Sequence, residues 1–180
     1  MKKLFLRLAA AFAVVVVIVL VLAAMQPAEF RVERSRTIAA PANVLFEQVN
    51  NHQNFSQWNP WQKMDKESKT TYSGVASGVG AVASWVGKKV GEGSATITES
   101  KPGELVRQRM DWKKPMEGVS TVDFTFKADG GKTTVTWAMY GTNNFMGKVM
   151  SLFMDCEKMC GPEFEKGLAD LEKIVTTPIK

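Results

Sequence analysis

One histidine, two cysteines and two tyrosines are all that 180 residues offer of the side chains most often recruited for chemistry. No Ser-His-Asp or Cys-His pattern can be assembled around His52, and no pair of carboxylates shares an inward face, which argues against nucleophilic catalysis. Asp111, Glu99, Asp65 and Tyr72 are the best acid or base candidates, but strand parity sends Asp111 outward, and none of the four reads as catalytic. Cys156 and Cys160 with a lone histidine cannot fill a four-coordinate zinc site without acids from elsewhere, so no metal and no cofactor is implied. Four residues apart on a helix, the two cysteines would hold their Cβ atoms about 6 Å apart, whereas a disulfide needs about 3.8 Å. They are expected to be unbridged.

Long runs of one charge are also missing. The 23 Lys and Arg against 18 Asp and Glu give a formal charge of +5, but Lys2, Lys3 and Arg7 lie in a terminal stretch without acids. The remainder carries 20 basic against 18 acidic side chains, interspersed as in Glu165-Lys166 and Glu172-Lys173, and this excludes a nucleic-acid-binding balance. The glycine-rich segment from Ser73 to Gly87 lacks the GK[ST] ending of a phosphate loop and runs into a strand, so its glycines read as hairpin turns.

From Leu8 to Met25 charge is absent altogether. These 18 residues form a helix of about 27 Å, close to the thickness of a bilayer's hydrocarbon core. The competing reading is a cleaved signal peptide. The apolar run is longer than an h-region of 7 to 15 residues, and no clean A-x-A site precedes Gln26 and Pro27, so an anchor is expected. A very short positive N-terminus stays in the cytoplasm; although Arg31, Arg34 and Arg36 weaken the bias, the expectation is a single-pass membrane protein. Its domain would then be periplasmic or otherwise extracytoplasmic. Residues 1–28 are assigned to the anchor and 29–180 to one domain of ordinary size.

Within that domain, Arg31 to Ala39 alternates as a strand, Pro41 opens an amphipathic helix carrying Val44, Leu45, Phe46 and Val49, and Asn50-Asn51 ends it. Six short β segments follow between Thr70 and Gly141, punctuated by glycines and by Asp129-Gly130-Gly131-Lys132. Val106, Met110 and Trp112 share one parity, as do Val122, Phe124 and Phe126, and Val135, Trp137 and Met139. The opposite faces carry Arg107, Arg109, Asp111, Asp123, Thr125, Thr134 and Thr136, which describes an antiparallel sheet with one wet side. Its apolar side needs a cover, and the long C-terminal stretch with Phe164, Leu168, Leu171 and Val175 at helical spacing supplies one. Gly161-Pro162 predicts a break or kink there, with Pro162 near a helix start. The fold class is therefore α+β, a curved antiparallel sheet gripping one long C-terminal helix.

Residues 36–51, 58–65, 72–87 and 159–174 together resemble the START-like (SRPBCC) superfamily of polyketide cyclase/dehydrase and lipid-transport type over about Phe30 to Val175. The match looks most like small bacterial members with an N-terminal hydrophobic segment. What the resemblance implies is a helix-grip fold enclosing a cavity, not a particular reaction. The residues expected to line it are Trp58, Trp61, Trp85, Met110, Trp112, Phe124, Phe126, Trp137, Met139, Met150, Phe153, Phe164 and Leu168. Trp58 and Trp61 flank Asn59-Pro60 in a polar, loop-like segment, where they either close one end of the cavity or fill a minor core beneath the loop. The ten methionines bring flexible thioethers suited to irregular apolar shapes. Burying about 300 Å² of an acyl or isoprenoid chain contributes roughly 7 kcal/mol before ordering costs.

The expected function is a membrane-anchored, monomeric binding protein that encloses a hydrophobic small molecule or lipid without acting on it. One alternative is a polyketide cyclase or dehydratase using the same cavity; another is a protein-interaction or stress-response module whose cavity is vestigial.

Overall fold

The computed structural model describes residues 2–177. Helix α1 (Lys2–Met25) leads into strand β1 (Glu29–Ile38), and three short helices follow: α2 (Ala42–Asn50), α3 (His52–Trp58) and α4 (Pro60–Met64). Six strands come next, β2 (Lys69–Ser73), β3 (Val82–Gly87), β4 (Gly91–Lys101), β5 (Leu105–Lys114), β6 (Gly118–Asp129) and β7 (Lys132–Thr142). Helices α5 (Phe145–Ser151) and α6 (Cys156–Thr176) end the described chain.

All seven strands form one antiparallel sheet in the order β1-β7-β6-β5-β4-β3-β2, so the first strand closes onto the last. The Gly130-Gly131 pair turns β6 into β7 with both residues at positive φ, 53° and 82°, as a two-residue loop between twisted strands requires. Register shifts in β4 at Glu92/Gly93 and Ile97/Glu99 bend the sheet, and its concave face wraps α6. The fold is the α+β helix grip that the alternation of β5, β6 and β7 predicts.

Apolar side chains from both layers make the core. Val32 from β1, Val106 from β5, Phe124 from β6 and Val135 from β7 meet Phe164, Leu168 and Leu171 from α6, all 1% exposed or less. Arg34 extends from β1 to Glu165 and Glu157 on α6, at 2.6 and 2.5 Å, and Arg36 reaches Glu172, about two turns beyond Glu165. These exposed pairs set the register of helix on sheet more than they stabilise it.

Two sequence expectations are corrected. The segment from Trp58 to Asp65 is not a loop: Asn51 accepts from the amides of Gln53 and Asn54 to start α3, and Asn59 accepts from Trp61 with Pro60 in the first turn of α4. Nor does the chain break at Gly161-Pro162, because α6 runs through both residues. Its start is set by Asp155, whose side chain accepts from the amides of Glu157 and Lys158. The Arg34 guanidinium packs over Gly161, where a Cβ would lie 2.3 Å from Nη2 and would push that flexible side chain aside.

Helix α1 is long and apolar enough to cross a membrane, by length and composition. It touches the domain through α5, burying Ala23 there, while most of its side chains are exposed.

Candidate functional site

Between the concave sheet and helices α3 to α6 lies a cavity of about 1290 Å³. Trp137 and Met139 of β7, Met110 and Trp112 of β5 and Trp85 of β3 form its sheet wall; Trp61 of α4, Met150 of α5 and Phe164 of α6 face them. Trp61 sits edge-on to both Trp137 and Phe164, at ring-centroid distances of 5.7 and 5.8 Å.

Five of the thirteen expected lining residues lie elsewhere. Trp58 is fully buried beside Phe55, Phe124 and Trp137 and donates its indole N–H to the Gln48 carbonyl at 3.2 Å. It belongs to the core, because α3 turns it inward beneath the sheet while α4 sends Trp61 to the cavity. Phe124, Phe126 and Leu168 are likewise core residues, packed where sheet and helix meet without a gap. Phe153 follows α5 and is 72% exposed, since the chain between α5 and α6 turns it outward.

Several lining residues were passed over by parity reasoning restricted to apolar side chains. Gln108 lies between Val106 and Met110 on the inward face of β5 and Ser120 precedes Val122 on that of β6, so alternation alone placed both inside. His52 enters from the first turn of α3, and Glu163, Cys156 and Cys160 from α6. Met64, Met116, Met146, Met154 and Met159 join Met110, Met139 and Met150, so every methionine between Ala28 and Lys180 borders this one space.

The polar groups fall into three kinds. Some are internally paired: Trp112 donates to Ser120 Oγ at 2.9 Å and Trp85 to the Val90 carbonyl at 3.3 Å. Others are buried with no hydrogen-bond partner among the described residues, namely Nε2 of His52, Nε2 of Gln108 and Nε1 of Trp137, while Oε2 of Glu163, also without a hydrogen bond, lies 3.7 Å from Lys166 Nζ. Burial pushes the His52 imidazole below its usual value, opposed in part by the backbone of Ala81 and Ala95, and keeps it neutral at pH 7. The third kind is the thiol pair, Cys156 and Cys160, with sulfurs 3.7 Å apart. Hydrogen bonding from Cys160 lowers the Cys156 thiol, and the same contact with burial raises Cys160.

The acid candidates are occupied away from the cavity. Glu99 pairs with Arg107, which also forks onto Asp123, and Asp111 pairs with Arg109, all on the outer face. Asp65 accepts from the amides of Lys89 and Val90 and ties the end of α4 to the β3–β4 turn. Tyr72 alone of the four borders the cavity. Among the described residues no cluster of three or more His, Cys, Asp or Glu could hold a metal ion.

A family model described as polyketide cyclase / dehydrase and lipid transport matches residues 29–176. No curated protein matches the chain in sequence. Solved structures of the same fold include a crystal structure of a protein from Chromobacterium violaceum, with 14% identity and a TM-score of 0.62 over 85% of this chain and 100% of that one. The solution structure of the Aha1 dimer from Colwellia psychrerythraea shares 15% identity and superposes with a TM-score of 0.60, covering 82% of this chain and 97% of its own. CalU16 from Micromonospora echinospora, at 12% identity and TM-score 0.53, covers 84% and 85% respectively. At these identities the likeness is one of fold.

Proposed function

Because the chain belongs to the polyketide cyclase/dehydrase and lipid-transport family, we propose that it is a membrane-tethered binding protein that encloses a hydrophobic small molecule or lipid. The observation that carries this reading is the wall itself. All eight methionines of the domain and four of its five tryptophans border a single space large enough for a lipid-sized guest. Thioethers adapt their shape to an irregular apolar surface, while the indole rings supply broad contact at little entropic cost. A fold needing only a filled core would not hold about 1290 Å³ open beside side chains of this kind.

Enclosure rather than chemistry is favoured because Glu99, Asp111 and Asp65 are spent on ion pairs and backbone amides away from the cavity. The tether would be α1, which meets the domain at α5, and α5 contributes Met146 and Met150 to the cavity rim. A ligand partitioned into the bilayer would therefore reach the opening along the shortest route.

Native mass spectrometry of the full-length protein, released from mild detergent micelles, tests the reading. A retained apolar adduct of a few hundred daltons is expected. Protein free of adduct that also fails to bind a fluorescent fatty-acid analogue would overturn it.

A further inference from the structure

Residues 146–160 concentrate sulfur. Met146, Met150, Met154, Cys156, Met159 and Cys160 fall within these fifteen positions, and all six border the cavity. Two of them are thiols held as a pair: Asp155 caps α6 so that Cys156 opens the helix, and Cys160 stands one turn on, on the same face. Their sulfurs lie 3.7 Å apart, and both side chains are only partly buried. Met159, three residues past Cys156, is its neighbour on the helix surface, with Cβ atoms about 5 to 6 Å apart. At 54% exposed, the Met159 side chain is not fixed by the core.

We propose that Cys156 and Cys160 chelate a soft monovalent cation, Cu(I), with the thioether of Met159 as third ligand. At a metal–sulfur distance of about 2.3 Å, the length thiolates make to zinc, sulfurs 3.7 Å apart subtend about 107° at a shared ion. The helix thus presents two donors at a separation that one ion bridges and a disulfide does not. Which ion follows from the donors that are missing. Zinc closes its structural sites with four ligands, and among the described residues no third His, Cys, Asp or Glu joins the pair. Calcium and magnesium take oxygen ligands. Cu(I) is selected by thiolates and thioethers and is satisfied by two or three of them, and the rotatable bonds of Met159 let its sulfur swing onto the ion. Each thiol gives up its proton as the ion binds, and no oxidation state changes. The ion needs none of the cavity's apolar volume, so copper binding and the enclosure of a guest succeed or fail separately.

Full-length protein in detergent micelles is loaded anaerobically with one equivalent of Cu(I), added as its acetonitrile complex. It is then challenged with the Cu(I) chelator bathocuproine disulfonate and, in parallel, with iodoacetamide. Wild type is expected to hold one Cu(I) per chain against the chelator, and the ion should block alkylation of both thiols, so that two labels by intact mass fall to none. Cys156→Ser and Cys160→Ser should each weaken retention about 10²- to 10⁴-fold, the advantage that two linked donors have over one. Met159→Leu should weaken it by a smaller factor. The alkylation arm uses the unaltered chain, so it decides the matter even where a variant fails to fold. Two labels on the copper-loaded protein overturn the proposal, as does retention unchanged in both serine variants, the pattern of adventitious binding by the methionines. Equal protection by one equivalent of Zn(II) overturns the choice of a soft monovalent ion, and unchanged retention in Met159→Leu overturns the third ligand.

Discussion

Trp137 lies flat on Phe164, with ring centroids 4.3 Å apart and planes inclined by 8°, and its far edge rests on Gly167 one turn along α6. Sheet and helix approach this closely because position 167 has no side chain. A Cβ there would stand 2.8 Å from Trp137 Cζ3 and 3.1 Å from Pro60 Cδ.

Gly167→Ala should therefore destabilise the domain even though alanine is the better helix former by about 1 kcal/mol. The Trp137 ring is also held by Phe124 and Trp61, so moving it would break those contacts. A net loss of about 1 to 3 kcal/mol is expected from overpacking, read by urea denaturation. A gain in stability would show that the helix moves away freely.

Trp58 and Trp61 should respond differently to truncation. Trp58 is fully buried and hydrogen-bonded, so Trp58→Ala should cost about 3 to 5 kcal/mol of stability. Trp61 keeps one side on the cavity, and Trp61→Ala should lower stability less while weakening the binding of an apolar fluorescent probe. The opposite pattern would reverse their roles.

How far these assignments were readable in advance depended on the kind of signal. Strand alternation carried the sheet, since Val106, Met110 and Trp112 must share a face whatever else happens, and the same alternation held Gln108 inside, where an apolar filter discarded it. The helices of residues 52–64 were hidden because their caps are asparagines at ordinary loop positions and each helix is too short to show a period. Which inward aromatic lines a cavity and which fills the core depends on the separation between sheet and helix. That separation is fixed by long-range contacts such as Gly167 against Trp137, which no local pattern encodes.

Acid stability should depend on Asp65. The amides of Lys89 and Val90 hold its carboxyl below the usual carboxylate value. Its folded-state pKa is thus lower than the unfolded one, so the stabilisation is present above the unfolded value and is lost as pH falls through the folded one. Below about pH 4 the wild type should lose stability more steeply than Asp65→Ala, which starts weaker at neutral pH. Parallel pH profiles for the two would disprove the linkage.

Cys156 and Cys160 should remain two thiols. Their sulfurs stand 3.7 Å apart, against about 2.05 Å in a disulfide, and helical geometry keeps them apart. Alkylation without reductant should add two labels by intact mass, with Cys156 reacting first because its thiol is the one lowered. No labelling, or Cys160 reacting first, would contradict this.

The last expectation concerns the edge where α1 meets α5. Apart from Ala23, the buried core is built without α1, so residues 28–180 should fold alone, remain monomeric and give a native-like circular dichroism spectrum. Along α5 and the turn after it, however, Phe145, Met146, Phe153 and Met154 are 51%, 59%, 72% and 43% exposed. An apolar strip of that kind beside a bilayer-length helix suits the headgroup boundary, where it would lie while α1 crosses. The truncated domain should accordingly sediment with phosphatidylcholine vesicles, and replacing Phe153 and Met154 together by serine should weaken that partitioning by about thirtyfold or more, since each buried side chain of this size contributes roughly 1 kcal/mol or more at the interface. The double replacement touches no buried position, so stability should not change. Truncated domain left entirely in the supernatant would remove α5 from the membrane surface and, with it, the short route from bilayer to cavity.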